Sequence, residues 1–107
     1  MNRVVDLHCH SRYSDGTLSV GDLIALAKFR GVSLISLTDH DEVSGIAEAR
    51  EQSAALNLSF VAGVEISSEW RDMSIHIVGL RIDETESTLT SLLSRIRETR
   101  SVRAQRM

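Results

Sequence analysis

The residues best suited to chemistry lie near the N-terminus, in the run Asp-Leu-His-Cys-His-Ser at positions 6–11. Two valines precede this run, which predicts a short β-strand that ends in a polar loop. Side chains alternate between the faces of a strand, so His8 and His10 should share one face while Cys9 takes the other. Two imidazoles at this spacing can bind one metal ion, and Asp15 lies in the loop just beyond them.

Three further candidate ligands, His40, Glu65 and His76, each lie near an end of a predicted strand. A single histidine beside a strand is more often a hydrogen-bonded structural residue than a ligand. Burying a carboxylate in an apolar strand costs free energy unless the carboxylate is paired or bound to a metal, so Glu65 is stronger evidence for a site than a single histidine. Imidazole and carboxylate ligands together suit Mn²⁺, Zn²⁺ or Fe²⁺ better than Ca²⁺. A carboxylate shared between histidines indicates a two-metal hydrolytic centre acting on phosphoryl groups.

Aspartates beside these ligands have several possible roles. Asp6 and Asp39 are predicted to be hydrogen-bonding partners of the ligand residues, and Asp39 in particular can orient a neighbouring histidine. Asp39 and Asp41 can also cap the helix that follows, and we favour this role for Asp41.

Composition indicates one ordinary globular domain. The chain has 107 residues, of which 42% are hydrophobic and 25% charged, with a net charge of −3. This charge does not indicate a basic nucleic-acid binder, and no DNA partner is predicted. Cys9 is the only cysteine, so no intramolecular disulfide can form. No apolar run approaches the ~20 residues of a membrane span, so the prediction is a cytoplasmic protein without a membrane partner.

The hydrophobic pattern predicts an α/β chain with the order β-α-β-α-β-β-α. The predicted strands lie at residues 3–10, 33–38, 59–66 and 74–82, with a loop at 69–72 before the last one. The predicted helices begin at a capping box at 19–22, near Ser44, and at Thr85 or Ser87. Gly31 and Asn57 should end the first two helices, and the third should carry an apolar face of Leu89, Leu92, Leu93 and Ile96.

The early strands are nearly continuous hydrophobic runs, as in a parallel sheet that helices cover. In such folds the chemistry gathers at the carboxyl ends of the strands. His76 comes early in its strand, so we expect an antiparallel fourth strand that returns it to the same edge.

Five motifs, in order, resemble the polymerase and histidinol phosphatase (PHP) family. They are Asp-Leu-His-Cys-His-Ser at 6–11, Ser-Asp-Gly at 14–16, Thr-Asp-His-Asp at 38–41, Gly-Val-Glu-Ile-Ser at 63–67 and Ile-His-Ile-Val-Gly-Leu at 75–80. Within the family, the surroundings of Trp70 and the last helix look most like the branch of nucleoside 3′,5′-bisphosphate phosphatases and 5′-to-3′ exoribonucleases (ribonuclease AM).

The resemblance implies a distorted seven-stranded β/α barrel and two or three divalent metals, manganese above all, with zinc or iron as alternatives. It implies a hydrolase that cleaves phosphate esters of nucleotides or RNA 5′ ends by metal-activated water. No catalytic residue beyond the metal ligands is implied. The ligands would be His8 and His10 for a first metal, Glu65 bridging to a second, His76 for the second, and Asp15 with His40 for a third.

Family members are longer and bring further ligands from later strands. We therefore expect residues 1–107 to be the N-terminal part of a PHP domain, with the missing C-terminal half of the barrel as a partner. One alternative is an inactive or partner-dependent PHP fragment with an incomplete metal site. Another is a fragment of an amidohydrolase-type barrel, which also uses a His-x-His strand pair, although the motifs at 38–41 and 63–67 argue against it.

The last helix and Trp70 each have a structural and a functional interpretation. The last helix is rich in arginine, which favours a solvated face over a phosphate- or RNA-facing patch or a surface for the missing half. A single tryptophan such as Trp70 more often covers a core edge than stacks on a base. The arginines are Arg95, Arg97, Arg100, Arg103 and Arg106.

Overall fold

The computed structural model describes residues 4–106, apart from the side chains of residues 70 and 100–106. Its seven elements follow the predicted order β-α-β-α-β-β-α. The strands are β1 (Val4–Cys9), β2 (Val32–Leu37), β3 (Ser59–Trp70) and β4 (Met73–Leu80), and the helices are α1 (Val20–Phe29), α2 (Ile46–Ala55) and α3 (Ser87–Arg106).

The four strands form one sheet in the order β1-β2-β3-β4. The pairs β1–β2 and β2–β3 are parallel, whereas β3–β4 is antiparallel. Parallel neighbours bring the carboxyl ends of β1 and β2 to one edge, and the antiparallel β4 returns its first half toward that edge. The predicted antiparallel fourth strand is therefore confirmed.

Helices α1 and α2 cover the sheet through a buried apolar core. Ile24 and Ile46 are fully buried, as are Ile35 and Leu37 on β2. On α3 the predicted apolar face is narrower than expected, because Leu93 is buried whereas Leu92 is 43% exposed. Within residues 4–106, no helix is both long and apolar enough to span a bilayer.

The ends of the first two helices follow the predicted signals. The Ser19 side chain accepts a hydrogen bond from the Asp22 N–H at the start of α1. Gly31 follows α1 with φ +82°, a left-handed conformation that glycine adopts without strain. Asn57 takes φ +54° just after α2, as its small polar side chain allows.

Helix caps elsewhere differ from the predictions. Helix α2 begins at Ile46 rather than near Ser44, and its N-cap residue Gly45 offers no side-chain cap. The predicted Thr85 or Ser87 cap of α3 is wrong, because the Glu86 carboxylate accepts hydrogen bonds from the N–H groups of two first-turn residues at 3.1 and 2.8 Å. A carboxylate also suits the positive end of the helix dipole.

The predicted loop at 69–72 is wrong as well. Strand β3 runs to Trp70 and β4 starts at Met73, so a two-residue turn joins them. Arg71 and Asp72 have φ of 51° and 63°, and positive φ at both central residues is the requirement of a type I′ hairpin turn. The resulting long hairpin sets the position of His76 by strand register.

Candidate metal centre

The backbone aligns the carboxyl ends of β1 and β2 with the middle of β3. The Thr38 N–H donates to the Cys9 carbonyl at 2.8 Å, which ties the end of β2 to the end of β1. Beyond β2, His40 forms a parallel bridge with Glu65, because the Glu65 N–H donates to Asp39 and the Asp41 N–H donates to Glu65. The ends of β1 and β2 therefore meet the middle of β3, and the prediction that Glu65 lies near the end of its strand is wrong because pairing with β4 extends β3 to Trp70.

Strand β4 brings His76 to the same place. In the antiparallel register Ser67 pairs with His76, and Glu65 lies two residues before Ser67 on the same face of β3. His76 is thus the diagonal cross-strand neighbour of Glu65, a separation that long side chains can bridge.

All four histidines converge on the Glu65 carboxylate. His8 Nε2 contacts Glu65 Oε1, and His10 Nε2 lies 3.1 Å from the same oxygen. On the other side, His40 Nδ1 and His76 Nδ1 lie 3.2 and 2.9 Å from Glu65 Oε2. Each carboxylate oxygen therefore faces two imidazoles, which is the arrangement of a bridging ligand.

Asp15 closes the other side of this cluster. Its Oδ1 lies 2.7 Å from His10 Nδ1, and its Oδ2 lies 3.2 Å from His40 Nε2. His10 and His40 therefore each contact both carboxylates, through different ring nitrogens.

Three overlapping groups in the described part of the chain could hold metal ions. Within each group, the ligand atoms all lie within 4.8 Å of one another. The residues fit such ions chemically, because His40 Nδ1 is buried without a hydrogen-bond partner although it lies 3.2 Å from Glu65. The His40 Nδ1 atom thus lies close to the carboxylate without a hydrogen bond to it, and this position allows both groups to bind the same metal ion. The groups are His8–His10–Glu65, His10–Asp15–His40 and His40–Glu65–His76.

Glu65 is held as a carboxylate in spite of its burial. The residue is only 4% exposed, and burial alone raises its pKa. The hydrogen bonds of His8 and His10, together with the charges of His40 and His8, outweigh that effect and hold the pKa of Glu65 below its usual value. An ionised, buried oxygen ligand is what a divalent cation requires.

Asp39 holds the loop that carries Asp15. Its carboxylate is buried and accepts hydrogen bonds from the Ser11 N–H at 2.5 Å, the Ser11 hydroxyl at 2.7 Å and the Ser14 hydroxyl at 2.8 Å. Its hydrogen bonds among the described residues therefore go to serines rather than to a histidine ring. The same loop has no room at Gly16, where a Cβ would lie 2.2 Å from the His10 carbonyl oxygen.

The side chains of Asp6 and Asp41 also accept hydrogen bonds from backbone N–H groups. Asp6 accepts a hydrogen bond from the His8 N–H at 3.2 Å. The predicted helix-capping role of Asp41 is wrong, because its Oδ1 accepts from the Ser67 N–H of β3 at 2.7 Å. Asp41 has φ +52°, and this left-handed conformation turns the chain so that its side chain faces β3 rather than α2.

Arg97 is a site residue, although the sequence analysis favoured a solvated face for the arginine-rich helix that carries it. Its Nη1 donates to the Asp41 carbonyl oxygen, and its Nε lies 3.7 Å from Glu42. It also lines the cleft formed with Asp15, His40 and His76. Leu93, one helical turn earlier, is fully buried, so the i, i+4 spacing is the sequence signal that would have placed Arg97 inward. The predicted roles of Trp70 and of the arginines beyond Arg97 lie outside the described side chains.

Cys9 is not placed to be a ligand. It lies on the core side of β1, and burial, a hydrogen bond to Asp6 and the charges of Asp6 and Asp39 raise its pKa to about 12 from 9.0. The thiolate, not the thiol, binds metals, so Cys9 contributes packing rather than coordination.

Cys9 should therefore be unreactive in the native protein. A pKa higher by three units lowers the thiolate fraction at pH 8 by roughly 1,000-fold, so alkylation by iodoacetamide should be at least ~100-fold slower in buffer than in urea. The neutral thiol contributes stability that is fully present below pH 9 and is lost as the pH rises toward about 12. Equal alkylation rates in buffer and in urea would contradict this burial.

Comparison with known proteins agrees with this geometry. Residues 6–102 match the PHP domain family. The chain belongs to the PHP family. This family is metal-dependent, and the described residues include histidine and carboxylate groups that suit metal ions.

Two curated relatives have enzyme names. The chain is 46% identical over 103 residues to a 3′,5′-nucleoside bisphosphate phosphatase of Chromobacterium violaceum, matching 96% of this chain and 36% of the relative. It is 42% identical over 104 residues to a 5′-3′ exoribonuclease of Haemophilus influenzae, matching 97% of this chain and 38% of the relative. The PHP chain thus spans somewhat more than a third of the length of these relatives.

A solved structure confirms the fold. An amidohydrolase from Chromobacterium violaceum, solved with bound SO4 and no metal, superposes with a TM-score of 0.91 at 45% identity. The match covers 95% of this PHP chain and 36% of that chain. The four-stranded sheet with its helices therefore matches part of a PHP barrel, as predicted.

Proposed function

We propose that this chain carries the metal-binding part of a phosphoesterase that hydrolyses phosphate esters of nucleotides or RNA 5′ ends. The observation that carries the proposal is the Glu65 carboxylate, each oxygen of which faces two histidine nitrogens. A carboxylate shared in this way between two groups of imidazoles is how two-metal hydrolytic centres are built, and such centres stabilise in-line displacement at phosphorus.

The relatives support the choice of substrate class. One is named a nucleoside bisphosphate phosphatase and another an exoribonuclease, and both act on phosphate esters by name. The solved relative contains sulfate, a tetrahedral anion with the shape of phosphate. Mn²⁺ is our first choice of metal, with Zn²⁺ or Fe²⁺ as alternatives, because the donors are imidazole nitrogens and carboxylate oxygens.

When bound, the metals would supply a water of lowered pKa and would neutralise charge on the phosphoryl oxygens. The chain's own residues hold and shape the site. Glu65 stays ionised in a buried position, Asp39 fixes the Asp15 loop, and Arg97 ties the backbone beside His40 to α3. The residues proposed to hold metal are His8, His10, Asp15, His40, Glu65 and His76.

The proposal is tested by phosphate release from adenosine 3′,5′-bisphosphate and nucleotide release from a 5′-monophosphorylated RNA. We expect turnover of at least one of them with Mn²⁺, its loss with EDTA, and recovery when Mn²⁺ is added back. Amide substrates belong in the same assay, since the solved relative is named an amidohydrolase. Cleavage of amides with both phosphate substrates left intact would contradict the proposal.

A second candidate function is metal binding without turnover, in a PHP segment that needs a partner or further chain. Its support is the coverage of only 36–38% of the relatives' length. Metal analysis and thermal melting separate the two candidates. A cooperative, metal-stabilised transition without phosphate release would favour the second, whereas release of phosphate would favour the first.

A further inference from the structure

A cavity of about 270 Å³, the side cavity, adjoins the metal centre beside the loop that carries Asp15. Tyr13 lines the side cavity and also the cleft that contains Asp15, His40 and His76. A ligand that passes over Tyr13 would therefore occupy both spaces. The volume is just below the ~300–1,000 Å³ of sites that enclose a whole small molecule, so the side cavity suits one ring system of a longer ligand. Its lining residues are Arg12, Tyr13, Ser19, Val20 and Glu48.

Tyr13 presents an aromatic ring to this space. The residue is 49% exposed, so a large part of its side chain is open to a ligand. Gly45 explains how the ring is held, because a Cβ at that position would lie only 3.0 Å from Tyr13 Cδ2. The ring thus packs against backbone on one side and is accessible elsewhere, which is the arrangement that stacking on a planar ligand requires.

Two opposite charges line the side cavity without pairing with each other. Arg12 Nε donates to the Thr17 carbonyl oxygen at 3.3 Å, which orients the guanidinium and leaves its terminal nitrogens for a ligand. Among the described residues, Glu48 forms no hydrogen bond or ion pair, and Arg12 forms no ion pair. A planar ligand with donors on one part of its edge and acceptors on another would satisfy both side chains.

We propose that the side cavity binds the guanine base of a guanosine nucleotide, stacked on Tyr13, while the phosphate of that nucleotide lies at the metal centre. The N1–H and the 2-amino group of guanine can donate to the Glu48 carboxylate, and its O6 and N7 can accept from Arg12. Adenine lacks the 2-amino group and has an amino group in place of O6, so it meets both side chains less well. This inference rests on the proposed function and deepens it, because it names the base of the substrate.

The test compares guanosine 5′-monophosphate with adenosine 5′-monophosphate in calorimetric titrations of the protein with Mn²⁺. We expect the guanosine nucleotide to bind about tenfold tighter, the effect of one charge-assisted or bidentate contact. Release of the first nucleotide from 5′-monophosphorylated RNAs that begin with guanosine or adenosine gives the second comparison. A preference among the mononucleotides alone assigns the side cavity to free nucleotides, and one in the RNAs as well extends it to RNA 5′ ends.

Variants separate the reading of the base from stacking. E48Q should bind the two mononucleotides within about twofold of each other, and R12Q should weaken the guanosine nucleotide more than the adenosine one. Y13L should weaken both about tenfold and keep the preference, whereas Y13F, which keeps the ring, should bind as the unaltered protein does. The matched control is E51Q, which removes the same charge from the exposed face of α2 and should keep the full preference.

Equal binding of the two mononucleotides by the unaltered protein would overturn the inference, and so would an E48Q protein that keeps the preference. Equal losses in Y13F and Y13L would also overturn it, because Tyr13 would then act through its hydroxyl rather than its ring. Phosphate release from guanosine 3′,5′-bisphosphate with Mn²⁺ tests the proposed function separately. A preference that depends on Glu48 without release would support the side cavity alone, and release without the preference would support the phosphoesterase alone.

Discussion

Replacing Glu65 with glutamine is expected to remove metal from two of the three candidate groups at once. Glu65 belongs to the group with His8 and His10 and to the group with His40 and His76. The amide keeps the volume of the side chain but loses the charge and one ligand oxygen. Changes outside the ligand shell already cost about 10–100-fold in metal affinity, so loss of a shared ligand should exceed about 100-fold.

The third group provides an internal comparison. It consists of His10, Asp15 and His40 without Glu65, so E65Q should leave one metal bound more weakly rather than none. H8A should weaken only the first group, and H76A only the group on the β4 side. Inductively coupled plasma analysis after dialysis measures the stoichiometry, and E51Q on the exposed face of α2 is the control for charge.

Thermal melting provides the second readout for E65Q. A metal that binds only the folded state stabilises it by RT ln(1 + [L]/Kd), so Mn²⁺ should raise the Tm of the unaltered protein. The E65Q variant should gain much less at the same Mn²⁺ concentration. If E65Q retained the full metal content and the full rise in Tm, Glu65 would not be a bridging ligand.

The site was predictable where it depends on strand periodicity. The alternation of side chains places His8 and His10 together, and both do contact Glu65. Glu65 stood out because a carboxylate in an apolar strand needs a partner, and the structure gives it four imidazoles. The position of His76 followed from the antiparallel pairing, because only a reversed strand brings its start back to the carboxyl ends of the others.

Two of the parts that were not predictable depend on residues in the left-handed conformation. Arg71 and Asp72 make a two-residue hairpin turn without the asparagine or glycine that normally signals one. Asp41 adopts φ +52° and turns its side chain to β3, whereas its place before a helix favoured a cap. Secondary-structure propensities are averages over many proteins. They therefore cannot identify a residue that tertiary contacts hold in a rare backbone conformation.

Asp39→Ala is expected to have the largest effect on stability. The change removes the acceptor of three donors, namely the Ser11 N–H, the Ser11 hydroxyl and the Ser14 hydroxyl. Ser11 is fully buried, so water does not reach its two donors. A buried donor without a partner costs about 1–3 kcal/mol, so we expect a loss of about 3 kcal/mol in the free energy of unfolding. Urea titration followed by circular dichroism measures it.

Two milder variants separate the hydrogen bonds of Asp39 from its charge. Asp39→Asn keeps one acceptor oxygen for the Ser11 N–H and should cost less than the alanine variant, and Ser14→Ala should cost about 1 kcal/mol. All three variants should weaken the group of His10, Asp15 and His40 more than the groups that contain Glu65, because the Asp39 carboxylate accepts its hydrogen bonds from Ser11 and Ser14, which lie in the loop that carries Asp15. An Asp39→Ala protein with unchanged unfolding would mean that water replaces the carboxylate and that the loop holds itself in place.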